Sequence, residues 1–412
     1  MVTTRRPPAP AGGKRARQRQ GGGGARLLLR GVGVPLLVGL LLAPADRAAV
    51  RLLAGVGLAL GVVGIAAVNV AVQGAVGKPL GIRLLAVRVA GWAFEPAGPR
   101  QPEGQRGARR LRRLARSTGA RGSFALTWVA PGLLDRVGAT RFRRRHLLLM
   151  AAPPVAELLL AVGLAALGQG LSGTPRFVVA VLALFAGVYA LLCLLPLTRG
   201  GSPSPGRWLW WWWLRPQQAF GRLAILTLTL AADGSSRQRP RDWPRRWVQV
   251  AAEVAAAGAR ARRAVQAATA ETCGHLAYLA ALDRGDVAVA GACLEAATAA
   301  SARLPQRTRA TMAAEAAFYH ARWTGQPDKA RELLAGIEGV GMLEELDRLR
   351  ARAALLLADG DHQAAIDACD QWLAGQARQE ARLPGVDVAL RDWVERIREA
   401  ASRAQAGGDR GV

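Results

Sequence analysis

The sequence predicts a mostly α-helical fold: a polytopic membrane helical bundle of about four spans with a small β-hairpin insert, followed by a cytoplasmic α-helical repeat domain. Three observations carry this expectation. Long apolar runs fill the first half of the 412 residues, the net positive charge is confined to the first part, and three self-similar glycine turns punctuate the second. Residues 1–246 hold 36 Lys+Arg against 7 Asp+Glu, whereas residues 247–412 hold 20 against 22, so the net +27 belongs to the first part alone. Two regions of different kind are joined.

Residues 1–25 are rich in Arg, Pro, Gly and Gln without apolar periodicity, the composition of a disordered basic tail. Four apolar runs follow, over about 27–42, 52–76, 147–167 and 177–197. The last three are long enough to cross roughly 30 Å of hydrocarbon. The first is short and ends in Ala43-Pro-Ala45, the pattern of a signal-peptidase site, but its long basic leader favours a retained helix. The segment from Gly77 to His146 carries 16 Lys+Arg, and the links near Asp46 and Gly170 carry few. By the excess of positive charge on cytoplasmic loops, both termini are expected in the cytoplasm and the chain in the inner cell membrane.

Within the basic segment, Ile82–Phe94 and Ser123–Val129 have strand composition, and Ala108–Arg116 reads either as a basic surface helix or as a solvated basic loop. The tryptophans Trp208, Trp210, Trp211, Trp212 and Trp213 just past the fourth span suit interfacial anchors, with apolar ring and wet N–H. Residues 216–244 read as an amphipathic segment and linker, Gly234–Pro244 being the linker. Arginine outnumbers lysine 53 to 3, which fits a coding sequence of strong G+C bias, so the charge signals bilayer flanks and no nucleic acid. The expected partners are the lipid bilayer and a cytoplasmic protein or peptide.

From residue 245 to 412 the chain reads as amphipathic Ala/Leu-rich helices. Turns at Asp283-Arg-Gly285-Asp286, Trp323-Thr-Gly325-Gln326 and Ala358-Asp-Gly360-Asp361 recur at spacings of 40 and 35, and each is followed five residues past its glycine by Ala290, Ala330 or Ala365. The glycine supplies a positive φ at the helix end, and the alanine lets the next helix approach closely. This resembles tetratricopeptide-like repeats over about residues 270–376, with Tyr278, Phe318 and Tyr319 partly standing in for the pattern's early aromatics. The resemblance implies a protein-binding concave face. His275, His320 and His362 are read as following repeat surface chemistry. Four cysteines, Cys193, Cys273, Cys293 and Cys369, lack C-x-x-C spacing and read as small buried residues.

A second resemblance rests on Asn69-Val70-Ala71-Val72-Gln73, on Ala152-Pro153-Pro154 with Glu157, and on Cys193 to Gly206. In order, spacing and membrane placement these segments are similar to those of site-2-type membrane zinc metallopeptidases. That family carries His-Glu-x-x-His on an early membrane helix and a last ligand in an Asp-Gly step. Here Asn69, Val70, Gln73 and Pro205 stand at the ligand and general-base positions. An amide is a poor zinc ligand, and Val70 accepts no proton. The resemblance implies a scaffold without catalytic residues, metal or cofactor, acting as an adaptor through its repeats. Two alternatives stay open. One is an active intramembrane metallopeptidase drawing on His146, Cys193 and carboxylates such as Glu157; the other is an unrelated membrane-anchored repeat adaptor. Glu157, a carboxylate near mid-membrane, is a candidate polar site in its own right or, alternatively, a protonated acid bonded to Asn69 or Gln73 across a helix interface.

Overall fold

The computed structural model describes residues 34–43, 47–89, 92–94, 111–112, 125–129, 133–199, 202–232, 238–261, 263–337, 342–378 and 383–408. The tail over 1–25, the start of the expected 27–42 span and most of 108–116 lie outside these residues. The chain divides into two compact units. One comprises 1–133 and 137–213, and the other 134–136 and 214–412.

In the first unit, α1 (Val34–Leu42) and α2 (Ala48–Gly77) cross at glycines. A Cβ placed on Gly39 would lie 2.3 Å from the Gly55 Cα, so only hydrogen fits between the two backbones. Small residues at such a crossing permit the close packing that substitutes for the hydrophobic effect in lipid. A sheet of β1 (Arg83–Val89), β2 (Trp92–Phe94), β3 (Leu111–Arg112) and β4 (Ala125–Val129) is ordered β3-β2-β1-β4, with Val89 opposite Trp92 and Arg83 opposite Val129. Leu111–Arg112 pairs with Ala93–Phe94, so extended backbone replaces the middle of the helix expected over Ala108–Arg116, whose arginine-dense face offers too few apolar positions to bury as a helix.

Helix α3 (Leu133–Gln169) is two helices joined across Gly138, whose φ of 71° and ψ of 167° are essentially restricted to glycine. Its apolar part, Val137–Gln169, leads into α4 (Gly173–Leu194). Together with Ala48–Gly77 these are three helices long and apolar enough to cross a membrane, and they coincide with the second, third and fourth expected spans. They leave Leu53, Leu60, Leu159, Val162 and Leu184 facing outward, a surface matched to lipid rather than to water. After α4, β5 (Thr198–Arg199) and β6 (Ser202–Pro203) form a short hairpin into α5 (Pro205–Leu214).

The second unit is all helical among its described residues: α6 (Pro216–Ala232), α7 (Arg245–Gly258), α8 (Ala264–Asp283), α9 (Val287–Ser301), α10 (Gln306–Tyr319), α11 (Pro327–Ala335), α12 (Met342–Ala358), α13 (His362–Ala377) and α14 (Pro384–Gly408). Gly285, Gly325 and Gly360 have φ of 82°, 63° and 80°, and each precedes a helix whose Ala290, Ala330 or Ala365 is fully buried. At the first and third turns, the Asp286 N–H donates to the Ala281 carbonyl and the Asp361 N–H to the Leu356 carbonyl, the six-to-one bond that terminates a helix at a left-handed glycine. The same aspartates then cap the following helices, accepting from the Val289 and Ala364 amides at 3.2 Å each. The middle turn is wider. A π-turn at His320–Thr324 adds a residue, and the Gln326 N–H reaches back to the His320 carbonyl. Asp286→Ala and Asp361→Ala are each expected to cost about 1 kcal/mol, measured by urea unfolding followed by far-UV circular dichroism.

The stretch read as a linker over Gly234–Pro244 is strapped down in its described part, and α6 before it packs on α7 and α8. Arg239 bridges Asp283 at 2.8 Å and also Asp392 of α14, while the Arg241 N–H donates to Asp283. Trp243 is buried, its indole N–H on the Gln238 carbonyl. The linker reading is corrected on physical grounds: a guanidinium held by two carboxylates and a buried indole anchor residues whose composition is that of a loop. Helix α14 buries Val386, Ala389, Trp393, Ile397 and Ala401, one helical stripe, with Trp393 stacked on Phe318 at 6.0 Å.

Candidate functional site

Four residues apart, Asn69 and Gln73 share one face of α2, and the structure brings Glu157 of α3 to them. The Asn69 Nδ2 donates to Glu157 Oε1 at 2.7 Å, and the Gln73 Nε2 donates to Asn69 Oδ1 at 2.8 Å. All three are buried, Glu157 completely. Two amides and a carboxylate thus hold one another where the peptidase resemblance implies histidines and a base. Val70 sits beside Asn69 on the helix and contributes no polar atom.

Pro205 opens α5, where its missing N–H costs no helical bond. Ser204 caps that helix. Its Oγ accepts from the Arg207 amide at 3.1 Å and the Leu197 amide at 3.2 Å, and donates to the Leu195 carbonyl at 2.6 Å. Gly206 brings the start of α5 against the end of α4, since a Cβ there would lie 1.8 Å from the Leu194 carbonyl oxygen.

The tryptophan cluster divides. Trp213 is 82% exposed, as an interfacial anchor requires, whereas Trp211 and Trp212 are buried inside the protein. The Trp212 indole donates to His146 Nδ1 at 2.8 Å, with the Trp208 ring at 5.1 Å from the imidazole. The anchor expectation is therefore corrected for Trp211 and Trp212: Trp212 is turned onto His146 of α3, and Trp211 lies against Trp208 and Arg207 of its own helix. An indole N–H only donates, so Nδ1 of His146 must be the acceptor nitrogen, and it is spent on this bond. Cys193 lies partly buried in α4. Among the described residues no three His, Cys, Asp or Glu side chains cluster as a metal site.

A second constellation lies in the helical unit. Arg350 of α12 and Glu315 of α10 form an ion pair with both side chains almost fully buried, and His275 of α8 reaches the same Glu315 oxygen at 3.6 Å. The guanidinium carbon stands 4.7 Å over the Phe318 ring. Burial alone would raise the Glu315 carboxyl, but the Arg350 charge and the His275 contact hold it below the usual carboxylate range. For His275, burial lowers and the Glu315 carboxylate more than offsets it, so the imidazole is raised. This corrects the surface reading of His275. Its signal was weak: Glu315 is a lone acid within Met312-Ala-Ala-Glu-Ala-Ala-Phe318, and Arg350 is one of several arginines on its helix. Cys273, Cys293 and Cys369 are buried, and burial pushes their thiols up to about 12, 11 and 12, so they stay protonated.

No protein-family model, curated protein or solved structure matches this chain. Its own residues are the whole basis for a functional reading. Gly285, Gly325 and Gly360 with Ala290, Ala330 and Ala365 occupy three separate turns, while Asn69, Gln73 and Glu157 make one site.

Proposed function

We propose that the chain is a membrane-embedded adaptor: a site-2-type peptidase scaffold without catalytic groups, carrying a β-hairpin insert and tetratricopeptide-like repeats that bind a cytoplasmic protein or peptide. The observation that carries the adaptor reading is the set of three glycine turns at positive φ, each followed by a fully buried alanine at the same offset. Such pairs stack into an extended array whose surface suits protein ligands. The near-balanced charge beyond residue 246 favours a protein over nucleic acid. In support of the non-catalytic reading, Asn69 and Gln73 offer amides where the family would place imidazoles, with Gln73 donating to Asn69 and Asn69 donating to Glu157.

The test uses the full chain in lipid nanodiscs. Proteins retained from the parent cytoplasm are identified for the wild type, for Ala290→Arg and for Ala330→Arg. Each arginine is forced into a filled inter-helix contact, at a cost of about 1–3 kcal/mol, and is expected to lower retention of a specific partner at least about tenfold. Undiminished helicity together with undiminished binding would sink the repeat reading. In parallel, cleavage of a single-span reporter peptide with added zinc is expected to be absent. Cleavage abolished by His146→Ala would establish the peptidase alternative.

A further inference from the structure

The hydrogen bonds from Gln73 to Asn69 to Glu157 run in one direction, every donor turned toward the carboxylate. At the ends of this chain, Gln73 Oε1 and Glu157 Oε2 are buried oxygens without a hydrogen-bond partner among the described residues. Since Glu157 Oε1 already accepts from Asn69, whatever neutralises the carboxylate must sit at Oε2. Among the described residues no cation is placed to do so. Counting charged and titratable groups on the described helices around it, α2 offers Arg51, α3 offers Arg141, Arg143, Arg144, Arg145 and His146, and α4 offers Arg176, Tyr189 and Cys193. Arg145 is the nearest arginine along α3, about 18 Å away by helix rise. His146 Nδ1 is taken by Trp212. A bare carboxylate in such surroundings is costly, so a positive species must accompany it.

The backbone supplies further oxygen. Pro153 and Pro154 carry no N–H, so the carbonyls of Leu149 and Met150 lose their usual donors four residues on. Met150 lies seven residues before Glu157, on the same face, and a glutamate on a helix leans toward the N-terminus. The oxygens left without a partner are Glu157 Oε2 and Gln73 Oε1, and the Leu149 and Met150 carbonyls earlier on α3 have lost their helical donors; all are hard ligands, with a single negative charge among them. Hard oxygen sets take hard cations, and one charge balances one monovalent ion. We propose that Glu157, Gln73 and Asn69 form an intramembrane monovalent-cation site, in which a sodium ion displaces the carboxyl proton of Glu157. The proposal rests on the burial and bonding of these residues and not on the peptidase resemblance.

Dicyclohexylcarbodiimide modifies carboxyl groups that are protonated in apolar surroundings, and peptide mapping locates the adduct. With the full chain in nanodiscs, labelling at Glu157 is expected in choline chloride and at least about tenfold less in saturating sodium chloride at equal ionic strength. The sodium needed for half protection should rise about tenfold for each unit the pH is lowered, as one ion exchanges for one proton. Equal labelling in sodium and choline at every pH makes this a proton-only site and overturns the proposal, as does absence of labelling throughout. A second measurement does not depend on the reagent. Sodium should raise the thermal midpoint of the wild type over choline and leave Glu157→Gln, which keeps the side-chain shape, unmoved. A sodium shift retained by Glu157→Gln places the ion elsewhere and overturns the assignment.

Discussion

Replacing Arg350 by methionine is expected to destabilise the helical unit by about 3–5 kcal/mol, because Glu315 is then left charged in the interior with only the longer His275 contact. The guanidinium is wholly buried, lies over Phe318 and holds the Glu315 carboxylate. Replacing both partners, Glu315→Leu with Arg350→Met, should recover most of that loss, since apolar groups of similar volume need no compensation. Urea unfolding of the full chain followed at the helical unit's transition gives the four corners of the cycle. A loss below about 1 kcal/mol for Arg350→Met would mean that the pair is solvated, contrary to its burial. The pair also sets a pH window. Glu315 is depressed in the folded state, so its contribution is present above the unfolded carboxylate value of about 4.3 and is lost as the pH falls through the depressed one. His275 is raised, so its contribution is complete below about 6.5 and is lost as the pH rises through the folded value. Stability should therefore be greatest from about pH 4.3 to 6.5, and Glu315→Gln should flatten both edges.

Gly206→Ala is expected to cost about 3 kcal/mol, at the upper end for overpacking. The added methyl would meet the Leu194 carbonyl oxygen at 1.8 Å and its carbon at 2.2 Å. Both are backbone atoms at the end of α4, so no side-chain rotation relieves the clash. The α5 helix must move, and with it the Trp212 indole that donates to His146. A red shift of tryptophan emission in nanodiscs, with a lower thermal midpoint, is the expected reading. Gly64→Ala is the control, because nothing lies within 4 Å of a Cβ there. If both variants behave alike, the approach of α5 to Leu194 is not as close as described.

These two sites differ in how far sequence discloses them. The spans were legible because hydropathy is a property of a continuous run, and the glycine turns because a left-handed helix end followed by a capping aspartate is local chemistry. Asn69 and Gln73 were legible as one face, and Glu157 as an acid able to bond to them across a helix interface, because isolated polar groups on apolar helices have few other partners; which of the two amides meets the carboxylate depends on how the helices pack. Trp211 and Trp212 were misassigned because five indoles in six residues declare composition, while burial depends on which way α5 is turned. The segment over 238–244 was misassigned for a similar reason. Proline and arginine read as linker, and the carboxylates that hold Arg239 lie 44 and 153 residues away. Arg350 was invisible among arginines that differ only in what surrounds them.

The clamp at Arg239 has a mechanical meaning. Tension reaching residue 238 along the chain, beyond α6, would not peel off α7 one turn at a time. It would load Arg239 first, and through it two carboxylates at once, one at the first glycine turn and one on the last helix. Force would thus pass directly from the beginning of the array to its end, bypassing the hairpins between. Such a path favours yielding as one body over unravelling from an edge, and under load the last helix would give way together with the first.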